Sequence, residues 1–156
     1  MKNLRTAVLC ACMACSLSSY AQEQKLPINE PDYNRPKLFA NLPDKIQVSP
    51  DQLNGFFSAS VGQKTTLQLP VDANNRIEGN VIAASKNETD KLETVLIRST
   101  NFNGATMSFT RKVNADGSVA YSGRIISFQH GDVFQLQTQN GQIFLVKRNF
   151  YDLVNE

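Results

Sequence analysis

The chain of 156 residues holds one histidine, His130, two positions from a carboxylate in His130-Gly131-Asp132. An imidazole oriented by a carboxylate can serve as a general base. The same tripeptide makes a polar turn, with Gly131 supplying an unusual backbone angle and Asp132 accepting from local amides. No partner motif accompanies it, so the turn is the favoured reading and His130 and Asp132 stay as secondary candidates. Ser99, Ser122 and Ser127 are nucleophiles by type, but none stands in a G-x-S-x-G strand-turn-helix context. Their expected place is the outward face of a strand. Glu78 and Glu93 flank separate runs, and a carboxylate pair of the glycosidase kind needs the fold to bring them together. Calcium loops require a D-x-D-x-D-G pattern and a distal glutamate, which Asp72-Ala73-Asn74-Asn75 and Asn114-Ala115-Asp116-Gly117 lack. No catalytic residue, metal-ligand set or cofactor motif is therefore expected.

The arginines point to binding instead. Arg98, Arg111 and Arg124 each interrupt an expected strand. A guanidinium among apolar side chains can anchor a carboxylate or stack on a ring, or it can lay its stem along apolar surface with the head in water. Tyrosine and arginine are the types that most often dominate interface energetics. Arg111 with Tyr121, then Arg124 and Arg98, are accordingly the candidate binding residues.

All three cysteines, Cys10, Cys12 and Cys15, fall in a segment that reads as a secretory signal. Lys2 and Arg5 open it, an apolar stretch runs from Thr6 to Leu17, and Ser19-Tyr20-Ala21 supplies small residues for cleavage before Gln22. Leu9-Cys10-Ala11-Cys12 also looks like a lipobox, whose acylated Cys12 would anchor the chain, but the apolar region ahead of it is short for that role. Cleavage after Ala21 leaves no cysteine, so disulfides, thiolate metal sites and cysteine nucleophiles are excluded together. Lys2 and Arg5 leave with the signal, so the 16 basic residues become 14 and equal the 14 acids. That balance, with no basic stripe carrying interleaved aromatics, argues against a nucleic-acid partner. No second apolar stretch approaches the roughly 20 residues of a membrane span. The chain is expected in the periplasm or outside the cell.

The organisation follows as a signal peptide over 1–21, a Pro-rich extended arm over 22–48 and one β-rich domain over 49–156. Pro27, Pro31, Pro36 and Pro43 punctuate the arm and Pro50 follows it, each removing a donor and restricting its predecessor. Leu38-Phe39 could still dock on the domain, and Ile46-Gln47-Val48 could form a short edge strand. Ser49-Pro50-Asp51-Gln52 starts a helix, with serine as N-cap, proline at the first position and glutamine completing a capping box. Leu53, Phe56 and Phe57 then lie three and four apart on one apolar face.

From Lys64 onward the period is two. Runs at Thr65–Leu69, Arg76–Ala84, Thr94–Ser99, Thr106–Val113, Val119–Phe128, Val133–Thr138 and Gln142–Arg148 predict an all-β domain, a small antiparallel barrel or sandwich of about seven strands. Asn140-Gly141 suits a two-residue type I′ turn, which pairs Thr138 with Ile143, Leu136 with Leu145 and Phe134 with Lys147. A three-residue loop Ala115-Asp116-Gly117 pairs Val113 with Val119, Arg111 with Tyr121, Phe109 with Gly123 and Met107 with Ile125. A two-residue loop would set Phe109 against Arg124, so the apolar pattern selects the longer one. Phe150, Tyr151, Leu153 and Val154 make the C-terminus too apolar for a frayed tail.

Val95-Leu96-Ile97-Arg98-Ser99, Gly123-Arg124-Ile125-Ile126-Ser127, His130-Gly131-Asp132 and the closing Asn149-Phe150-Tyr151-Asp152-Leu153-Val154-Asn155-Glu156 resemble a group of small exported bacterial proteins with no assigned activity. That resemblance spans Gly62 to Glu156. More distantly, the G-R-I-x-S type run resembles the pro-regions of secreted metallopeptidases. The expected function is a non-catalytic exported domain binding another protein or a cell-envelope component. A secreted hydrolase using carboxylates or His130 is the alternative, and an inhibitor or pro-region-like partner of a secreted protease is a third.

Overall fold

A computed structural model describes residues 34–70 and 76–154. The signal peptide with its cysteines, the arm as far as residue 33, the Asp72–Asn75 turn and the last two residues lie outside the described residues. The elements run β1 (Lys45–Val48), α1 (Pro50–Phe57), β2 (Lys64–Gln68), β3 (Arg76–Asn87), β4 (Leu92–Ser99), β5 (Thr106–Val113), β6 (Val119–Ser127), β7 (Asp132–Gln139), β8 (Gln142–Asn149) and α2 (Phe150–Val154).

Helix α1 starts where its sequence signals place it. The Ser49 hydroxyl accepts from Gln52 N–H, the Gln52 side-chain oxygen accepts from Ser49 N–H, and Pro50 opens the first turn. Two of the donors that a helix start leaves unpaired are thereby satisfied. Leu53 and Phe56 are fully enclosed on the helix's inner face.

The strands form one antiparallel sheet in the order β1-β8-β7-β6-β5-β4-β3-β2. Strands β2 to β8 are a simple meander, whose turns carry the backbone angles that the sequence asks for. Asn140 and Gly141 have φ of 51° and 76°, as a type I′ turn requires, and Thr138 pairs with Ile143, Leu136 with Leu145 and Phe134 with Lys147. Gly117 has φ of 81°, and Val113 pairs with Val119, Arg111 with Tyr121 and Phe109 with Gly123. Both registers agree with those read from the sequence.

The sheet is neither a closed barrel nor a sandwich. It is a curled half-barrel of eight strands, the eighth being β1, which pairs with β8 through Ile46 to Leu145 and Val48 to Ile143. The two edge strands, β1 and β2, flank α1 in the chain and do not meet. Leu53 and Phe56 of α1 join the core cluster that holds β1, β2 and the inward residues of the meander, so the helix fills the concave side between the edges. Phe56 stacks on Phe109 of β5 with ring centroids 5.3 Å apart and planes 2° apart. Phe39, from the docked end of the arm, is also enclosed and packs against Phe134 and Phe102.

A smaller cluster forms on the convex face, where Ile126 and Val133 are covered by Phe150 with Tyr151 and Leu153 packed beside it. The C-terminal segment is thus a short helix laid on the sheet. Among the described residues, no helix is long and apolar enough to cross a membrane.

Candidate functional site

Four side chains line up across the concave face near the open end of the half-barrel. Register places Lys86 opposite Glu93, Glu93 opposite Arg111 and Arg111 opposite Tyr121, so the four share one transverse row. Arg111 Nη2 donates to Glu93 Oε2 at 2.5 Å, and Lys86 Nζ lies 3.7 Å from the other Glu93 oxygen. Lys86 also pairs with Glu88 at 2.7 Å, and the Glu88 hydrogen bond holds its ammonium above the ordinary lysine value. From the helix side, Asn54 Oδ1 accepts from Arg111 Nη1 at 3.0 Å and from Tyr121 OH at 2.8 Å. The Arg111 guanidinium sits 5.1 Å from the centre of the Phe57 ring.

Arg111 and Tyr121 therefore share the Phe109 face, as register matching predicts, but neither presents a free head. Both are half-buried and bonded to α1, so the candidate binding pair read from the sequence forms a seal between helix and sheet. Asn54 is the partner that sequence reading passes over, while Glu93, weighed from sequence as one of a carboxylate pair, serves as the ion partner of Arg111. Asn54 lies two residues before the apolar pair Phe56-Phe57, and nothing local announces that it accepts from two strands.

Beside this row the sheet opens. Strand β3 is 12 residues long, yet β2 pairs only with Arg76–Asn80. Val81 exchanges the last bonds on that side with Gly62 and Gln63, and Thr100 N–H donates to the Glu78 carbonyl on the β4 side. Antiparallel pairing alternates strictly, and a bulge between Val81 and Ala83 shifts it by one residue. Beyond the bulge, Ala83, Ser85 and Asn87 consequently turn their polar groups to β4, and Ala84 and Lys86 turn theirs to the open edge. Ala83–Asn87 are exposed. A cleft of about 260 Å³ runs along this edge, with Ala84, Ser85 and Lys86 on one side and Phe57, Val95 and Arg111 on the other.

The remaining candidates are dispersed. Arg98 and Arg124 are exposed on the convex face, each in a different row of the sheet. His130 is not oriented by Asp132: its Nδ1 lies 2.8 Å from Ser127 Oγ, and the Asp132 carboxylate accepts from the distant Phe39 N–H at 2.9 Å. Asp132 thus fastens the arm to the sheet instead of capping its own turn. Ser127 and Ser99 are buried, not outward. Ser99 Oγ donates to the Glu78 carbonyl and accepts from Phe102 N–H, closing the β4–β5 connection. The carboxylates are neutralised separately, Glu93 as above and Glu78 by Lys64 at 2.8 Å and Arg76 at 2.5 Å. No group of three or more metal-ligating side chains occurs among the described residues.

No family model matches the sequence, and no curated protein or solved structure matches it either.

Proposed function

We propose that the protein is a non-catalytic exported binding module that takes an extended segment of a partner protein onto the open edge of β3. The observation that carries this reading is the outward-facing backbone of Ala84 and Lys86 beside a cleft walled by Phe57 and Val95. Strand addition draws affinity from main-chain hydrogen bonds and selectivity from pockets for alternate side chains. Both components are present along the same stretch.

Unpaired edges are ordinarily blunted by charge or bulges to prevent aggregation. Here the bulge lies at the start of the open stretch, and its one charged residue, Lys86, is tied down by Glu88 and Glu93. Ala83, Ala84 and Ser85 are small enough for another backbone to approach. The ion pairs at Arg111 and Lys86 are internally balanced, which fits a neutral main chain and a modest apolar side chain against Phe57. Full burial of Ser127 Oγ beside His130 weighs against a serine hydrolase, because no substrate carbonyl can reach it.

The test is to select binders from a phage-displayed library of linear peptides and map them by hydrogen exchange. The expected binders protect the Ala84 and Lys86 amides and lose affinity in Ala84→Pro. That substitution removes an edge donor without breaking the ladder to β4, a position at which sheets tolerate proline, and an unchanged Tm verifies the fold. Binders that leave those amides unprotected, or that bind Ala84→Pro equally well, overturn the proposal.

A further inference from the structure

The convex face carries a charge pattern that neither the core nor the β3 edge uses. Register threads one unbroken row across six strands, from Leu96 of β4 through Ser108, Arg124, Gln135 and Val146 to Lys45 of β1. The neighbouring row on the same face starts at Arg98 and ends at Arg148. Its middle, Ile126 and Val133, is covered by Phe150 with Tyr151 and Leu153. Helix α2 thus walls one side of the open row.

In strand order, Arg98, Arg124, Arg148 and Lys45 stand on β4, β6, β8 and β1 and alternate between the two rows. A line along the seam therefore meets cations from alternating sides, and the arginines recur about every 10 Å across the sheet, twice the strand spacing. All four are exposed. Arg98 and Arg124 have neither a hydrogen bond nor an ion pair among the described residues. Arg148 meets the side-chain oxygen of Gln137, and Lys45 Nζ donates to Gln139 Oε1 at 2.6 Å. Those partners are neutral, so the charges stay uncancelled. Of the described strand carboxylates only Glu78 falls on this face, far along the sheet, where Lys64 and Arg76 hold it. Glu93 and Asp132 face the concave side, and Asp44, Glu88, Asp90 and Asp116 lie in the connections between strands.

Free guanidinium forks match planar carboxylates. Between the cations the floor is Ser108 and Gln135, a hydroxyl and an amide able to bond sugar hydroxyls. A row crossing the strands of a half-barrel follows its bend, which a polymer chain can track and a planar bilayer touches only at the crest. We propose that this face binds an anionic polysaccharide laid across the strands, with Arg98, Arg124, Arg148 and Lys45 pairing with its carboxylates. The β3 edge takes no part, and either assignment can fail without the other.

The probe is polygalacturonate, titrated into the mature protein at low salt while amide resonances are followed, with dextran as the neutral control. Saturable shifts are expected in the row of Arg124, Gln135 and Val146, with affinity falling as salt screens the pairs. Arg124→Gln should weaken binding about fivefold, the upper end for one exposed ion pair. Arg98→Gln should add a similar factor, since the two sites are separate enough for their effects to combine independently. Lys91→Gln makes the same charge change in the β3–β4 turn, at the other end of β4 from Arg98, and should alter affinity less than about twofold. Unchanged Tm values verify the folds. No saturable binding, equal binding of dextran, or a loss in Lys91→Gln equal to that in Arg124→Gln overturns the proposal. Retention on phosphatidylglycerol vesicles that polygalacturonate does not compete away overturns it in favour of a membrane surface.

Discussion

Arg111 of β5 reaches Asn54 of α1, 57 residues earlier in the chain, with Nη1 3.0 Å from the amide oxygen. The bond joins a strand from the middle of the sheet to the helix that fills its concave side. Tyr121 reaches the same oxygen from β6, so one asparagine ties two strands to the helix. Edges that never close on each other need the helix held in position, and this junction does so where the apolar core ends.

Asn54→Ala should therefore destabilise the fold by about 2 kcal/mol, because two half-buried donors lose their acceptor at once. Arg111→Ala should lose a similar amount. The double variant should lose clearly less than the sum, since residues in one hydrogen-bond network couple by about 0.5–3 kcal/mol. Urea denaturation of the four proteins measures the coupling, and strictly additive losses would show that Asn54 and Arg111 act separately.

Acid should loosen the β2 edge. Lys64 and then Arg76 hold the Glu78 carboxyl below its ordinary value of 4.5. A carboxylate with a lowered folded-state pKa stabilises fully above the unfolded value, and loses that contribution as pH falls through the folded value. The Tm difference between the wild type and Glu78→Gln should accordingly be present at pH 6, shrink as pH falls below about 4.5 and disappear only once pH lies below the lowered folded-state value. A difference constant across this range would mean that the ion pairs contribute nothing.

Most of the strand set was legible because period-two patterning, turn glycines and register constraints all act locally. Lys64–Gln68, Thr106–Val113 and Gln142–Asn149 lie within a residue or so of their sequence readings. Closure was not legible. Whether seven or eight strands meet as a barrel depends on α1 occupying the gap, a long-range matter that no local signal encodes. The same holds for the candidate site. Arg111 and Tyr121 were found as neighbours by register, but their partner Asn54 comes from another element, and the open half of β3 exists only because β2 is short.

His130→Ala should cost more than a surface substitution. The imidazole is half-buried and is the hydrogen-bond partner of the fully enclosed Ser127 hydroxyl. Leaving such a group unpaired costs about 1–3 kcal/mol. The expected result is a lowered Tm with peptide binding at the β3 edge unchanged in the folded protein. Lost binding with unchanged Tm would reverse the assignment and make His130 a functional group.

Gly123→Ala tests whether the core depends on a missing side chain. Gly123 stands opposite Phe109 in the β5–β6 ladder. A Cβ built there would lie 2.6 Å from Phe109 Cδ1 and closer still to the Ser108 carbonyl oxygen. Phe109 has little room to retreat, because its other face stacks on Phe56 and the ring is almost fully enclosed. The added methyl must move either the strand pair or the aromatic stack, and overpacking of this kind costs about 1–3 kcal/mol. Phe109→Ala removes the colliding Cδ1 while lowering stability itself, so Gly123→Ala should cost less in that background than in the wild type. Denaturation midpoints of the two singles and the double give the answer. An equal cost in both backgrounds would place the conflict at the Ser108 carbonyl, and no cost in either would mean that the ladder spreads freely and the glycine is not required.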